Sequence, residues 1–417
     1  MRHAMEPLTV GYDWEMAVLR KTGESVGESD AERLSDELRR RLPWSQPGTD
    51  LELLESRIGC VRSFPELLRK SERFDAELRK ALDRRGWSLL RGGSRPFERE
   101  PIGSHIHVGT LSDWNAGIRV QNGMAKYVAP LAALMANSPV YRGRTGRFKS
   151  YRLASGAEWC SMPQTLVPPE LAQPTWAGDV ASKLAGGSTV EFRAADGAGS
   201  TRLMCEAVAL VAGLMWHVAE REPPDELTPD AYRAILLNRW RAAKRGLQAT
   251  LEWEGAETPV DEVLTTMVEL AEDGMRLLDA DPGDLGLIRR MIAGRQTQAD
   301  FQLAVLEAER GDACRFTRVM ANIQRDPRAF EKYLRRAPAL SPVPPDDHVE
   351  EIVRAIGKET DYPFLLRAAP LPPAELDRVL SELVEEEALL VSRGPTGVRL
   401  YTRFELGRRS DSGRRQA

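Results

Sequence analysis

The sequence predicts an α+β protein, with strands gathered in the first half and helices in the second. Two observations lead there. Period-two segments, which read as strands, occur at residues 8–20, 103–109 and 188–194. Beyond residue 200, apolar residues recur at helical spacing in successive segments, 200–220, 229–250, 260–279, 284–293, 297–309 and 313–334. Strands followed by a run of helices, rather than alternating with them, mark the α+β class. A third observation concerns organisation: a proline-rich stretch at 337–347 sets a small C-terminal piece apart. At 417 residues the chain can bury a large core and hold more than one domain.

Taken in order, residues 8–20 read as a strand. Residues 30–42 read as a charged helix with Leu34, Leu38 and Leu42 on one stripe, broken by Pro43 to Gly48. Residues 51–61 read as a strand or extended segment. Leu67, Leu68, Phe74, Leu78, Ala81 and Leu82 give residues 65–85 the apolar face of an amphipathic helix. Gly92 and Gly93 form a loop before the strand at 103–109. Residues 117–137 read as a helix, followed by a Gly/Arg-rich loop from Tyr141 to Tyr151.

Composition excludes several classes. Charged residues are 29% and hydrophobic ones 42%, as in an ordinary globular protein. A net charge of −4 gives no global attraction to nucleic acid or anionic membrane. Cys60, Cys160, Cys205 and Cys314 form no C-x-x-C pair, so neither a zinc knuckle nor a disulfide framework is indicated. The N-terminus lacks the apolar core of a signal peptide. The run from Cys205 to Ala219 contains Glu206 and His217 and reads as a core helix, not a membrane span. The expected location is the cytoplasm.

The chemistry lies on three strands. Gly103-Ser104-His105-Ile106-His107-Val108-Gly109 holds two of the five histidines. Residues i and i+2 of a strand share a face, so both imidazoles point one way and Ile106 and Val108 the other. The same rule puts Asp13 and Glu15 on one face, and Thr189, Glu191 and Arg193 on another. One such strand is more often a solvated sheet face. Three in one sheet would make a face suited to divalent metal and phosphate chemistry.

The C-terminal piece has Val349, Ile352, Val353 and Ile356 on a first helix, and Leu376, Val379, Leu380 and Leu383 on a second. Residues 389–401 then read as a hairpin turning at Gly394 to Gly397. This order resembles a winged helix. The second helix is acidic (Glu375, Asp377, Glu382, Glu385, Glu386, Glu387), which phosphates repel, so DNA is disfavoured as a partner. A peptide or protein docking module, or a cap on the active site, suits it better. Residues 407–417 are polar and read as a disordered tail. The expected division is 1–336 catalytic, 337–347 linker, 348–406 winged-helix-like and 407–417 tail.

Ordered motifs between residues 8 and 310 resemble the glutamate–cysteine ligase group, in its type-2, carboxylate–amine ligase branch. Gly11-Tyr12-Asp13-Trp14-Glu15 is similar to that family's Gly-x-Glu-x-Glu, with Asp13 in place of the first Glu. The family's His-Val-His-Val-Gly strand is similar to His105–Gly109. Its Ser-Pro…Thr-Gly…Ser-x-Arg loop is similar to Ser138-Pro139…Thr145-Gly146…Ser150-Tyr151-Arg152. Its Thr-Val-Glu-x-Arg-x-x-Asp strand matches Thr189 to Asp196, and its Asn-x-Trp-Arg-Ala helix matches Asn238 to Ala242. The resemblance implies a glutamine-synthetase-like antiparallel sheet wrapped by helices, with the winged-helix-like piece appended.

It also implies the reaction. ATP phosphorylates a carboxylate, glutamate by default, and an amine such as cysteine displaces the phosphate. By resemblance, Asp13, Glu15, Glu52, Glu191 and His107 would hold Mg2+. His105, His107, Asn238 and Arg241 would bind the nucleotide. Arg152, Arg193 and Glu191 would carry catalysis, since arginines grip carboxylate and phosphate bidentately. The expected partners are a small-molecule acid and amine, with a peptide or protein reaching the C-terminal piece and no membrane.

Each assignment has a plainer counterpart. Arg193 could bridge Glu191 or Asp196 structurally, and Arg152 sits in a basic loop that could be merely solvated. Trp240 suits core packing, and Cys160 has no neighbouring base. One departure stands out. The family carries two glutamates seven apart on its second acidic segment; Glu52 fits the first, and the second position is Gly59. Fewer metals, a ligand from elsewhere, or a member that kept the fold and lost the chemistry would each follow. A regulator acting through the winged helix, and a ligase for a peptide- or carrier-borne substrate, are further alternatives.

Overall fold

The computed structural model describes residues 8–93, 102–109, 114–141, 144–145, 148–155, 178–183, 189–221, 229–343, 360–361, 380, 389–393 and 399–403. Its centre is an antiparallel sheet. The strands are β1 (Thr9–Leu19), β2 (Gly48–Asp50), β3 (Leu53–Arg57), β4 (Ser88–Leu90) and β5 (Gly103–Gly109). A short hairpin, β6 (Val140–Tyr141) and β7 (Arg144–Thr145), precedes β8 (Val180–Lys183) and β9 (Thr189–Asp196). The sheet order is β2-β3-β1-β5-β9-β8, with β4 paired to the far end of β1.

Around it lie α1 (Glu28–Arg41), α2 (Phe64–Arg85), α3 (Trp114–Gly123), α4 (Ala125–Leu134), α5 (Tyr151–Ser155), α6 (Thr201–Glu220) and α7 (Pro229–Arg245). A hairpin, β10 (Thr250–Trp253) and β11 (Ala256–Pro259), leads to α8 (Val260–Arg276), α9 (Gly286–Gly294), α10 (Gln298–Ala308), α11 (Ala313–Ile323) and α12 (Ala329–Leu334). The α+β expectation therefore holds.

The alternation read from sequence sorts the sheet's two faces. Val10, Tyr12, Trp14, Met16 and Val18 of β1 enter the main core with Ile106, Val108, Val190 and Phe192. The helices α2 and α6 cover that side, and Tyr12 Oη donates to Ser71 Oγ of α2 at 2.9 Å. The opposite face is divided. Asp13 and Glu15 lie on its polar half, whereas Ala17 and Leu19 are closed under Leu90, Ile102, Phe316 and Met320. Helix α6 is long and apolar enough to cross a membrane by length and composition alone, and 78% of that stretch is buried inside the protein.

Several boundaries differ from the sequence reading. The helix expected at 117–137 breaks at Met124 into α3 and α4. The one expected at 229–250 ends at Arg245, and Thr250 already begins a hairpin. That expected at 313–334 is two helices, separated by a turn containing Pro327. The linker is docked along its first half: Val343 N donates to Gln248 O, and Pro338 O accepts from Gln296 Nε2. Of the C-terminal piece, β12 (Thr360–Asp361), β13 (Leu389–Arg393) and β14 (Arg399–Arg403) form a small sheet in the order β12-β14-β13, which contains the expected hairpin. Its two expected helices lie outside the described residues, apart from Leu380.

Candidate active site

The polar faces of β3, β1, β5, β9 and β8 meet in one patch. Register places Glu15 opposite Glu55, Asp13 opposite both Arg57 and His105, and His107 opposite Glu191. Glu191 in turn faces Ala181, with Lys183 opposite Thr189 beside it. A bulge sits at His105, where β9 spends two residues, Arg193 and Ala194, against one.

Glu191 is the hub. It is 2% exposed. Lys183 Nζ lies 2.6 Å from Oε2, and Arg193 donates to Oε1 at 2.8 Å. His105 Nδ1 and His107 Nε2 stand 3.4 and 3.6 Å from Oε1. Burial alone would raise its pKa, but His105, Arg193, His107 and Lys183 outweigh that and hold it near about 2. Burial pushes His105 down to about 3, against the pull of Glu191. His107 moves the other way: burial opposes its charge, but Asp13 at 3.4 Å and Glu191 raise its pKa.

The other end of the patch carries excess negative charge. Glu15 is pushed up to about 7, chiefly by burial, with Asp50 and Glu55 adding and Arg152 and the Gly103 N–H opposing. Glu55 is also pushed up to about 7, by burial and by Asp13, although Arg57 bonds it. Gly103 N donates to Glu15 Oε2 at 2.6 Å. A Cβ on Gly103 would lie 2.7 Å from the Arg152 guanidinium, so only glycine lets Arg152 approach this strand.

Arg152 is buried, is the second residue of α5, and donates from Nη1 to the Arg193 carbonyl at 2.8 Å. Asp196 sets its place. Its carboxylate accepts from Asn137 N at 2.7 Å, Ser138 Oγ at 2.8 Å and Ser150 Oγ at 2.9 Å. Ser138 Oγ then accepts from Arg152 N at 3.2 Å. The motif loop is thus pinned to the end of β9. Lys149, of the same basic run, is drawn away to Asp300 at 2.6 Å.

Three assignments made by resemblance sit elsewhere. Glu52 lies in the turn between β2 and β3, out of step with the face; Glu55 is the carboxylate opposite Glu15. Asn238 and Arg241 serve the β10–β11 hairpin. Asn238 Nδ2 donates to Glu252 O and its Oδ1 accepts from Glu252 N, both at 2.8 Å, and Arg241 grips Glu257 at 2.7 and 2.9 Å. Their neighbour Arg239 turns toward the sheet instead. It grips Asp179 at 2.8 and 3.1 Å, and Asp179 O accepts from Arg193 N. Gly59 adopts a left-handed φ of 76°, and its carbonyl lies 3.0 Å from where a Cβ on Gly11 would be. That position is a tight backbone crossing, and Glu55 supplies a carboxylate that Gly59 cannot. Sequence alone gives no role to Arg57 and Lys183, because strands β3 and β8 are too short to show a pattern; it offers Glu55 only as a nearby acid of the other parity and Asp196 only as a motif residue and a structural partner for Arg193.

A cavity of about 340 Å3 opens at the Asp13–His107 end, lined also by Arg57, Gln46, Thr9 and Thr189. Among the described residues no three His, Cys, Asp or Glu close into a ready metal site. The donor set still suits a hard divalent ion: Asp13, Glu15 and Glu55 share one face, and buried His107 Nε2 makes no hydrogen bond. A pH signature follows. Glu15 and Glu55 bind protons more tightly folded than unfolded. Their stabilising contribution is present below about pH 4.5 and is lost as pH rises through about 7. A cation needs them ionised. MgCl2 should therefore raise the melting temperature at about pH 8 and barely at about pH 5; equal shifts at both would remove these carboxylates from the ion's site.

Comparisons with known proteins agree with this geometry. The family model described as glutamate–cysteine ligase family 2 (GCS2) matches residues 101–177. A candidate glutamate–cysteine ligase 2 from Verminephrobacter eiseniae is 25% identical over 319 residues, covering 64% of this chain and 83% of its own. Another, from Rubrobacter xylanophilus, is 26% identical over 367 residues, covering 73% and 94%. In structure, glutamate–cysteine ligase from Francisella tularensis, solved with AMP, aligns at TM-score 0.51 and 11% identity over 91% of this chain and 93% of that one. A bifunctional glutathione synthetase from Pasteurella multocida gives 0.52 and 13% over 78% and 52%. The two alignments show that this chain shares the fold of those proteins. The sequence likeness is to the glutamate–cysteine ligase family 2 group.

Proposed function

We propose that this chain joins a carboxylate to an amine at the expense of ATP, with glutamate the default acid and cysteine or another amino acid the default amine. One observation carries the reading: four carboxylates, Asp13, Glu15, Glu55 and Glu191, share a sheet face with Arg152, Arg193 and Lys183. Carboxylates of that kind suit the metal that accompanies ATP, and fixed cations suit the acid and the moving phosphoryl group. The AMP complex of the F. tularensis enzyme supports a nucleotide site on this fold.

The residues divide the work. The cavity beside Asp13 and His107 admits the nucleotide. Arg152 and Arg193, at the other side, hold the acid. A carboxylate oxygen of the acid attacks the γ-phosphorus, and ADP departs with the bonding pair. The amine nitrogen then attacks the acyl carbon, releasing inorganic phosphate and a proton. Mg2+, held by Asp13, Glu15, Glu55 and His107, would screen the phosphate oxygens during the first displacement. Glu191 keeps Lys183 and Arg193 in place, and burial keeps the pair dry, so their charges act at full strength. The catalytically impaired alternative draws on Gly59 and on the appended C-terminal piece, and Glu55 opposite Glu15 speaks against the first ground. The C-terminal partner surface rests on residues outside the described set, and the reading stands without it.

The test is ADP release by the pure chain with Mg2+ and ATP, over a matrix of glutamate-like acids against amino acids and amines. ADP that needs both, with a product at the amide mass, is the expected result. ATP binding without turnover anywhere in the matrix would overturn it for free amino acids and amines.

A further inference from the structure

Two adjoining depressions lie at the far end of β1. The first, about 140 Å3, is lined by Arg20, Lys21, Arg318 and Arg325, with no carboxylate among its lining residues. The second, about 210 Å3, shares Ser88, Ala321 and Arg325 with it and adds Trp87, Gln324 and one carboxylate, Asp83. Of the four cations, Arg20 is paired, to Asp30 at 2.5 Å. Among the described residues Lys21, Arg318 and Arg325 have no acidic partner, and Arg318 makes one long contact, to the Cys314 carbonyl at 3.5 Å. Three uncompensated cations converging on one concavity create a local positive potential in a chain whose net charge is negative. The concavity has room for one small oxyanion and none for a nucleotide.

The depression is also wired to β1, on the core face behind the polar patch. Gln324 donates from Nε2 to Arg91 O and accepts at Oε1 from Arg91 N, both at 2.6 Å. The Arg91 guanidinium lies 4.5 Å from the centre of the Trp14 ring and pairs with Asp75. Trp14 stands between Asp13 and Glu15. Along an extended strand, Leu19 is roughly 20 Å from Asp13, beyond direct contact with any ligand there. Coupling between the two would run through β4 and Trp14.

We propose that this basic depression is a second, effector-type anion site. It takes a small multivalent oxyanion, a phosphate or a di- or tricarboxylate, and its occupancy reaches β1 through Gln324 and Arg91. Binding and hydrogen exchange test it without any turnover, so a failed ligase assay leaves it untouched. Inorganic phosphate and citrate are titrated separately into the full chain by calorimetry. The K21A/R318A/R325A variant should lose about tenfold or more in affinity, while R276A, an exposed arginine of α8 paired to Glu272 and Asp273, keeps the wild-type isotherm. Binding of phosphate without citrate, or the reverse, names the source of the anion. The bound anion should slow exchange at β4 and at the Trp14 amide, and Q324A should keep the slowing at α11 but lose it at Trp14. Unchanged affinity in the triple variant, an equal loss in R276A, or slowing at Trp14 that survives Q324A would overturn the assignment.

Discussion

Glu191→Gln should abolish ADP release that depends on acid and amine, by about 10²-fold or more, while the protein still folds. The amide keeps the shape of the side chain and loses its charge. Two cations then lose their counter-ion, Lys183 at 2.6 Å and Arg193 at 2.8 Å, in a place that is 2% exposed. Breaking a buried pair costs about 3–5 kcal/mol, and an isosteric amide that still accepts from Arg193 keeps the loss toward the lower end. Circular dichroism should be unchanged and the melting temperature lower. The pH dependence separates this residue from its neighbours. Its pKa is held near about 2, below the ordinary 4.5, so its stabilising contribution is present above pH 4.5 and lost only as pH falls toward 2. The wild-type chain should therefore lose this contribution in acid, and the variant should be flatter there. Wild-type turnover in Glu191→Gln would take this residue out of the reaction.

The polar face was legible because β1, β5 and β9 are long enough for alternation to show. Eleven residues of β1 carry Asp13 and Glu15 against Tyr12, Trp14 and Met16, and burial follows that parity from Thr9 to Trp14, beyond which both faces are covered. What sequence could not show was pairing. Glu52 and Glu55 are three apart, and only the register of β3 against β1, Glu15 opposite Glu55, decides which one joins the face. Strands β2, β4 and β8 have three or four residues, too few for a period. The expected helix runs on to residue 250 because Ala242 to Leu247 continues the helical spacing, and the hairpin β10–β11 fills the gap left before residue 260. Gly246, at a φ of 53°, helps to end it. Asn238 and Arg241 looked like ligand residues by motif, since motif matching does not distinguish a polar side chain turned to a substrate from one holding a neighbouring turn.

Asp196→Ala should be the most destabilising single change near the site, and Asp196→Asn a mild one. Asp196 is 1% exposed and accepts three hydrogen bonds from the motif loop, from Asn137 N, Ser138 Oγ and Ser150 Oγ. Alanine leaves those donors buried and unmet, at about 1–3 kcal/mol each, and so roughly 3 kcal/mol or more in total. Burial raises the Asp196 pKa despite Arg152 and the three donors, so ionising this group opposes folding. Asparagine removes that penalty and keeps one carbonyl acceptor, which explains the expected asymmetry. The effect on the reaction follows from Arg152, whose backbone N–H bonds Ser138 Oγ and whose guanidinium bonds the Arg193 carbonyl. With the loop unpinned, Arg152 loses its place beside Glu15, and the KM for the acid should rise more than kcat falls. Melting curves with steady-state kinetics over a range of acid concentrations check both halves. A variant Asp196→Ala that melts like the wild type would mean that the loop is held by its other anchors, the Gln302 amide bonded to Asn137 O and the Lys149–Asp300 pair.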